Sequence, residues 1–251
     1  MNFELGQAGE AAMRLVFTEV PQPALTKALI EIENGARQRF GSTLTDSVIG
    51  YTTLTLFFSA SALERDRTEA WLREQAGAIA LTDDADPEHS AADVVLPVLY
   101  HPSVAPDLEW LADDRSLSID DVIALHSDAT YFAYATGFAP GFCYLGTLPA
   151  ALRAPRLDTP RAKVPAGAVA IADAQTAVYP CESPGGWRLI GACPEPLFNL
   201  GNTPPSRLSV GATVRFEPIN EADFRALGGV CLLYTSPSPR DATLSRMPSS
   251  A

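Results

Sequence analysis

Apolar residues at Leu25, Ala28, Leu29, Ile32 and Ala36 follow one another close to i, i+3, i+4, i+7 spacing. That repeat lines one stripe of a 3.6-residue helix and predicts an amphipathic helix over residues 22–39. Before it, AMRLVF at 12–17 reads as a strand. After it, SVIGYTTLTLFF at 47–58 is dense in β-branched and aromatic residues and reads as one further strand. Residues 62–76 are charged and periodic, a second helix. The order β-α-β-α predicts a small N-terminal α/β domain over residues 1–81. The acidic run TDDADPEHSAAD marks a linker at 82–93.

A strand, VVLPVLY at 94–100, opens the second unit. Short helices are predicted at 106–114 and 118–127, the latter beginning at Ser118-x-x-Asp121, which resembles a capping box with Asp in place of Glu. A strand follows over 131–136. Residues 137–205 then hold 11 of the 21 prolines and 8 of the 17 glycines, a density bordering on low complexity. Apolar residues nonetheless recur through this stretch, at Phe138, Phe142, Tyr144, Leu145, Val164, Val169, Ile171, Trp187, Leu189 and Ile190. Tight turns joining short strands account for both features, so an irregular β-barrel is predicted over 94–229. LSVGATVRFEP at 208–218 reads as its closing strand. The fold class is α+β. Residues 230–251 lose all periodicity after Tyr234, are rich in Ser, Pro and Thr, and are read as a non-native or disordered tail.

Charge changes the picture by being uneven. The net charge is -12 and the pI about 4.6, which argues against a nucleic-acid partner. Residues 1–136 hold 8 Lys+Arg and 22 Asp+Glu, a net of -14, whereas residues 137–191 hold 5 against 3, a net of +2. No run of 18 apolar residues exists, so no transmembrane helix is expected, and the N-terminus lacks the pattern of a signal peptide. The four cysteines show no CxxC spacing, which points to free thiols in the cytoplasm. Of the three histidines, His89 lies in the acidic run, and no HxH or HExxH pattern suggests a metal site.

Four ordered motifs fall in the net-positive block: GFAPGFCYLG at 137–146, TPRAKVPAG at 159–167, QTAVYP at 175–180 and SPGGWRLIG at 183–191. At these spacings they resemble the family of the 5-oxoprolinase B subunit, also described as allophanate hydrolase subunit 1 and as the sporulation histidine-kinase inhibitor. They are also similar to one half of the urea carboxylase carboxyltransferase domain. The resemblance implies a cyclophilin-like barrel behind the small α/β domain. It implies the B subunit of a complex that uses ATP to open 5-oxo-L-proline to L-glutamate, with subunits A and C as partners. An inhibitor of a sensor histidine kinase and half of a urea-type carboxyltransferase are the alternatives. One departure is Cys143, where the family usually has proline.

Within the motifs, each residue carries two readings. Arg161 and Lys163 flank Ala162 in an extended segment, where alternate residues face one side. They either hold a carboxylate or phosphate of the substrate or decorate a solvated edge strand. No GxxxxGK[ST] sequence accompanies Lys163, so no P-loop is expected. Gln175 and Tyr179 either read a lactam through paired donor and acceptor or stabilise a turn. Ser183, Gly185 and Gly186 either offer N–H groups to an oxyanion or partner or simply turn the chain. His126 is a possible base for Ser183, or a satisfied core residue. No catalytic residue and no metal ligand is assigned.

Overall fold

The computed structural model describes residues 1–59, 64–81 and 92–230. Most of the predicted linker, His89, Cys231 and the predicted tail beyond Val230 lie outside them. In the N-terminal part, β1 (Phe3–Gln7) pairs antiparallel with β2 (Ala12–Phe17), which pairs with β4 (Thr53–Phe58), whose other neighbour is β3 (Leu44–Ile49). Helix α1 (Pro23–Phe40) buries Leu25, Leu29, Ile32 and Ala36, the predicted stripe, and α2 (Arg65–Ala78) adds Leu72 and Ala76. These meet Leu15, Leu54 and Leu56 of the sheet in one core.

Two expectations change here. The single strand predicted over 47–58 is a hairpin, because the Gly50 N–H donates to the Thr53 carbonyl at 2.8 Å and turns the chain. With Gly50 as the one breaker in a run of strand-forming residues, the pattern hides the turn. Strand β1 was not predicted, having just Phe3 and Leu5 as apolar residues on an edge. The order is therefore β-β-α-β-β-α.

The second part is a seven-stranded barrel-like sheet. Its members are β5 (Val94–Val98), β6 (Thr130–Thr136), β7 (Cys143–Gly146), β9 (Ala168–Ala172), β10 (Gln175–Val178), β12 (Arg188–Ala192) and β13 (Thr213–Pro218). They follow one another in the order β12-β9-β10-β7-β6-β13-β5. Just past β5, Leu99 exchanges backbone hydrogen bonds of 2.9 and 3.0 Å with Ala192, joining the last strand to the first. The predicted closing strand is therefore interior: β13 lies between β5 and β6, and Leu99 makes the closure.

Strand β9 is buried along its whole length, which requires cover on both faces. Val169 and Ile171 point into the barrel core with Leu96, Tyr131, Leu145, Ile190 and Phe216. Ala168, Ala170 and Ala172 point outward, beneath Phe142, Tyr179 and Trp187. A two-stranded ribbon, β8 (Arg161–Val164) with β11 (Ser183–Gly185), accompanies that outer layer. Small residues below and large rings above fill the space between sheet and ribbon.

Helices α3 (Leu108–Arg115) and α4 (Ile119–Ser127) pack on the barrel through Leu108, Leu111 and Val122. The capping box at α4 forms: the Asp121 N–H donates to Ser118 Oγ at 3.1 Å and the Ser118 N–H donates to Asp121 Oδ2 at 3.0 Å. Helix α5 (Glu221–Ala226) adds Phe224 to the same core. Among the described residues no helix is long and apolar enough to cross a membrane.

Candidate functional site

The four motifs converge on the outer layer of the barrel. The Phe142 ring lies 5.2 Å from Phe138, 4.9 Å from Tyr144, 5.5 Å from Tyr179 and 5.9 Å from Trp187, mostly edge to face. These separations suit the ring quadrupoles, so the cluster is held by more than its buried area. The turn before β7 sets Phe142 in place. Pro140 and Gly141 form it, the Phe142 N–H donating to the Ala139 carbonyl at 3.0 Å. Gly141 has φ +83, and a Cβ there would stand 2.8 Å from Phe198 Cβ, so both conformation and space call for glycine.

The structure engages the two predicted cations internally. Arg161 Nη2 lies 2.8 and 2.9 Å from the oxygens of Asp107, and its Nη1 donates to the Trp187 carbonyl at 3.1 Å. The carboxylate that this guanidinium grips is thus the protein's own. Asp107, buried just ahead of α3, also accepts the Leu189 N–H at 2.6 Å and has Arg188 Nη1 3.9 Å away. Lys163 faces solvent and pairs with Glu182 at 3.0 Å, an exposed contact that contributes little to stability.

Gln175 begins β10, where its Nε2 donates to the hydroxyl of Tyr51. Tyr51 comes from the β3–β4 hairpin, and its ring stacks 5.7 Å from Tyr134 and tilts against Tyr144 at 6.1 Å. Burial, with Tyr144 and Cys143 nearby, raises its hydroxyl pKa, so it stays protonated. Sequence reasoning missed Tyr51, which sits inside the hidden turn, 124 residues from its partner.

Tyr179 is buried against Phe142 and Phe138. Its hydroxyl pKa is raised by burial, with Arg156, Arg161 and the Trp187 backbone N–H pulling the other way. A Cβ on Gly185 would come within 2.3 Å of that hydroxyl. Gly185→Ala is therefore expected to push Tyr179 off its place and to cost about 1–3 kcal/mol. Urea unfolding gives the loss, and Gly185→Ala combined with Tyr179→Phe should recover part of it. Gly186 accepts the Leu157 N–H at 2.7 Å through its carbonyl, which ties the turn to the preceding loop.

Ser183 and His126 do not form a dyad. His126 is fully buried among barrel residues, its Nδ1 2.7 Å from Tyr100 Oη and its Nε2 2.9 Å from Thr176 Oγ1. Both ring nitrogens are occupied, and burial pushes its pKa down to about 3. Ser183 Oγ instead donates to the Cys181 carbonyl at 3.4 Å. The thiol of Cys143 is pushed up to about 12 and that of Cys193 to about 11, both by burial. Neither is a ready nucleophile. Cys143 opens β7, a first-strand position where the family's proline is tolerated. Cys181 is exposed. Among the described residues no group of three His, Cys, Asp or Glu is placed to hold a metal ion.

Beside the cluster, the first motif's loop borders a cleft of about 760 Å³. The opposite wall comes from Ile30, Glu33, Ser47 and Ile49 of the N-terminal part. Phe138 stands on the barrel wall, 58% exposed and with φ +73, a conformation that costs energy for an aromatic residue. The arrangement offers an aromatic platform, tyrosine hydroxyls and a cleft, with most charged groups already paired.

Comparison with known proteins agrees with the fold. Residues 3–208 match the carboxyltransferase domain, subdomain C and D. The 5-oxoprolinase B subunit of Bacillus subtilis is 32% identical over 236 residues, covering 90% of this chain and 97% of that protein. The crystal structure of TTHA0988 superposes with a TM-score of 0.71 at 33% identity, over 83% of this chain and 40% of that one. The chain thus spans about two fifths of that structure's length. The urea carboxylase of Kluyveromyces lactis, at 15% identity, covers 89% of this chain and 22% of its own, with a TM-score of 0.65, and shares the fold. By its match over most of its length and its relatives among 5-oxoprolinase B subunits, the chain belongs to the family of the carboxyltransferase domain, subdomain C and D.

Proposed function

We propose that this chain is the B subunit of a multi-subunit, ATP-dependent 5-oxoprolinase of the cytoplasm, which opens 5-oxo-L-proline to L-glutamate together with subunits A and C. The observation that carries this reading is the match to a 5-oxoprolinase B subunit along 97% of its length. The site supports a chain that binds rather than one that hydrolyses alone. His126 has both nitrogens engaged, and Cys143 and Cys193 are buried thiols. Among the described motif residues no nucleophile stands beside a base, which an autonomous hydrolase of an amide would need. ATP belongs to the assembled complex in this reading, since the chain carries no GxxxxGK[ST] sequence. Purifying this chain with subunits A and C and measuring ATP-dependent glutamate release tests it. Activity should vanish when this chain is omitted and return when it is added back. Activity that survives the omission overturns the proposal.

A further inference from the structure

The cleft of about 760 Å³ between the two parts of the chain is open to a further partner. One of its walls carries the outer edge of β3, through Ser47, Val48 and Ile49. Among the described residues β3 has a single neighbouring strand, β4. The Gly50 N–H bonds across to Thr53, so by alternation the backbone groups of Ser47 and Ile49 face away from β4. Asp46 Oδ1 takes the Ser47 N–H at 2.8 Å, which leaves the Ile49 N–H and two carbonyls for an added strand. Val48 is 47% exposed beside them. The facing wall is the first motif's loop, where the Phe138 ring is 58% exposed. That ring is held edge to face against the buried Phe142 at 5.2 Å and Tyr179 at 6.2 Å. A large apolar ring fixed at the surface is the kind of residue that anchors a protein interface. Charge points the same way. Among the described residues lining the cleft, Glu33 alone is ionisable, and it already holds Arg37 at 2.8 Å. The chain as a whole carries -12, yet what complements this cleft is an uncharged, apolar segment rather than a charged metabolite.

We propose that this cleft takes an extended, uncharged, apolar segment of a partner subunit, which adds to the open edge of β3 and packs against Phe138 and Val48. The partner is a subunit of the complex proposed above, so the inference rests on that function. Strand addition supplies main-chain hydrogen bonds from the edge, while side chains supply the specificity. An open edge beside exposed apolar residues is a liability in a chain that works alone, and covering it removes the liability. Phe138 holds φ +73, which costs energy in the free chain; ring contacts made on assembly offset that cost.

The test uses the full chain with purified subunits A and C. In the complex the Ile49 amide should exchange with deuterium about tenfold or more slowly than in the chain alone. Phe138→Ser and Val48→Glu should each weaken association about thirtyfold or more. The chain's own melting temperature should change little in both, because both side chains are exposed. Leu227→Ser, at a residue 49% exposed and away from the cleft, should leave association unchanged. Affinity should hold between about 50 and about 500 mM salt, since no charge pair crosses the cleft. Undiminished association in Phe138→Ser and Val48→Glu, in a complex that still requires this chain, overturns the docking surface and leaves the proposed function standing. Weakened association without protection of Ile49 overturns the strand addition, and a steep loss with salt overturns the uncharged partner. Self-association of the chain that the same variants abolish makes a second copy the occupant and overturns the assignment to another subunit. Activity without this chain overturns the function itself.

Discussion

Asp107→Ala is expected to destabilise the chain by about 3–5 kcal/mol, the cost of breaking a buried charge pair by removing one partner. At about 2–4 °C per kcal/mol for a chain of this size, the melting temperature should fall by roughly 6–20 °C. Three parts of the barrel depend on this carboxylate. It accepts from Arg161 on β8 at 2.8 and 2.9 Å and from the Leu189 N–H on β12 at 2.6 Å, while its own N–H donates to the Leu189 carbonyl at 3.1 Å. Alanine leaves a largely buried guanidinium without its counter-charge, holding just the Trp187 carbonyl, and a buried N–H without its side-chain acceptor. Arg161→Ala should cost less, because Asp107 keeps the Leu189 N–H and has Arg188 nearby. The double variant should lose less than the sum of the single losses, by about 0.5–3 kcal/mol. Strict additivity in denaturant unfolding would show that the pair does not act as a unit.

This pair also shows what the sequence could and could not disclose. The sequence leaves Arg161 either holding an anion of the substrate or decorating a solvated edge, and the structure engages its guanidinium with a carboxylate of the same chain. The partner was illegible, because Asp107 lies 54 residues earlier in an acidic stretch with no pattern of its own. Gln175 tells the same story, paired with a tyrosine from a turn that the strand-rich run around Gly50 conceals. Local features fared better. The α1 stripe, the α4 capping box and the Pro/Gly-punctuated strands all follow from residue spacing within a few positions, and each formed.

The net-positive block at 137–191 therefore means something narrower than a basic patch. Arg161 and Arg188 gather β8, β12 and the loop before α3 around Asp107, while Lys163 pairs with Glu182 and Arg156 with Asp173 at the surface. The aromatic rings beneath supply a rigid floor.

Acid should weaken the fold through His126, and the direction can be worked out from its contacts. Thr176 Oγ1 donates its proton to the Ala170 carbonyl at 3.1 Å, so it must accept from His126 Nε2. Nδ1 then accepts from the Tyr100 hydroxyl at 2.7 Å. The ring stacks 4.5 Å from Phe216. The hydroxyls in contact with it, on Tyr100, Tyr131 and Thr176, do not titrate in acid, so no neighbour compensates a charge. The native pKa is about 3 against an ordinary 6.5. Between those values the unfolded chain binds a proton that the native one refuses, so stability rises with pH across that window. His126 thus favours the fold fully above pH about 6.5, and its contribution falls as acid is added until the native ring itself protonates near pH 3. Each pH unit within the window should cost about a factor of ten in the folding equilibrium constant. Urea midpoints from pH 7 to pH 4 should fall more steeply for the wild type than for His126→Gln, by one proton, although the variant starts less stable. Equal slopes would mean that the buried ring takes up its proton without leaving the native state.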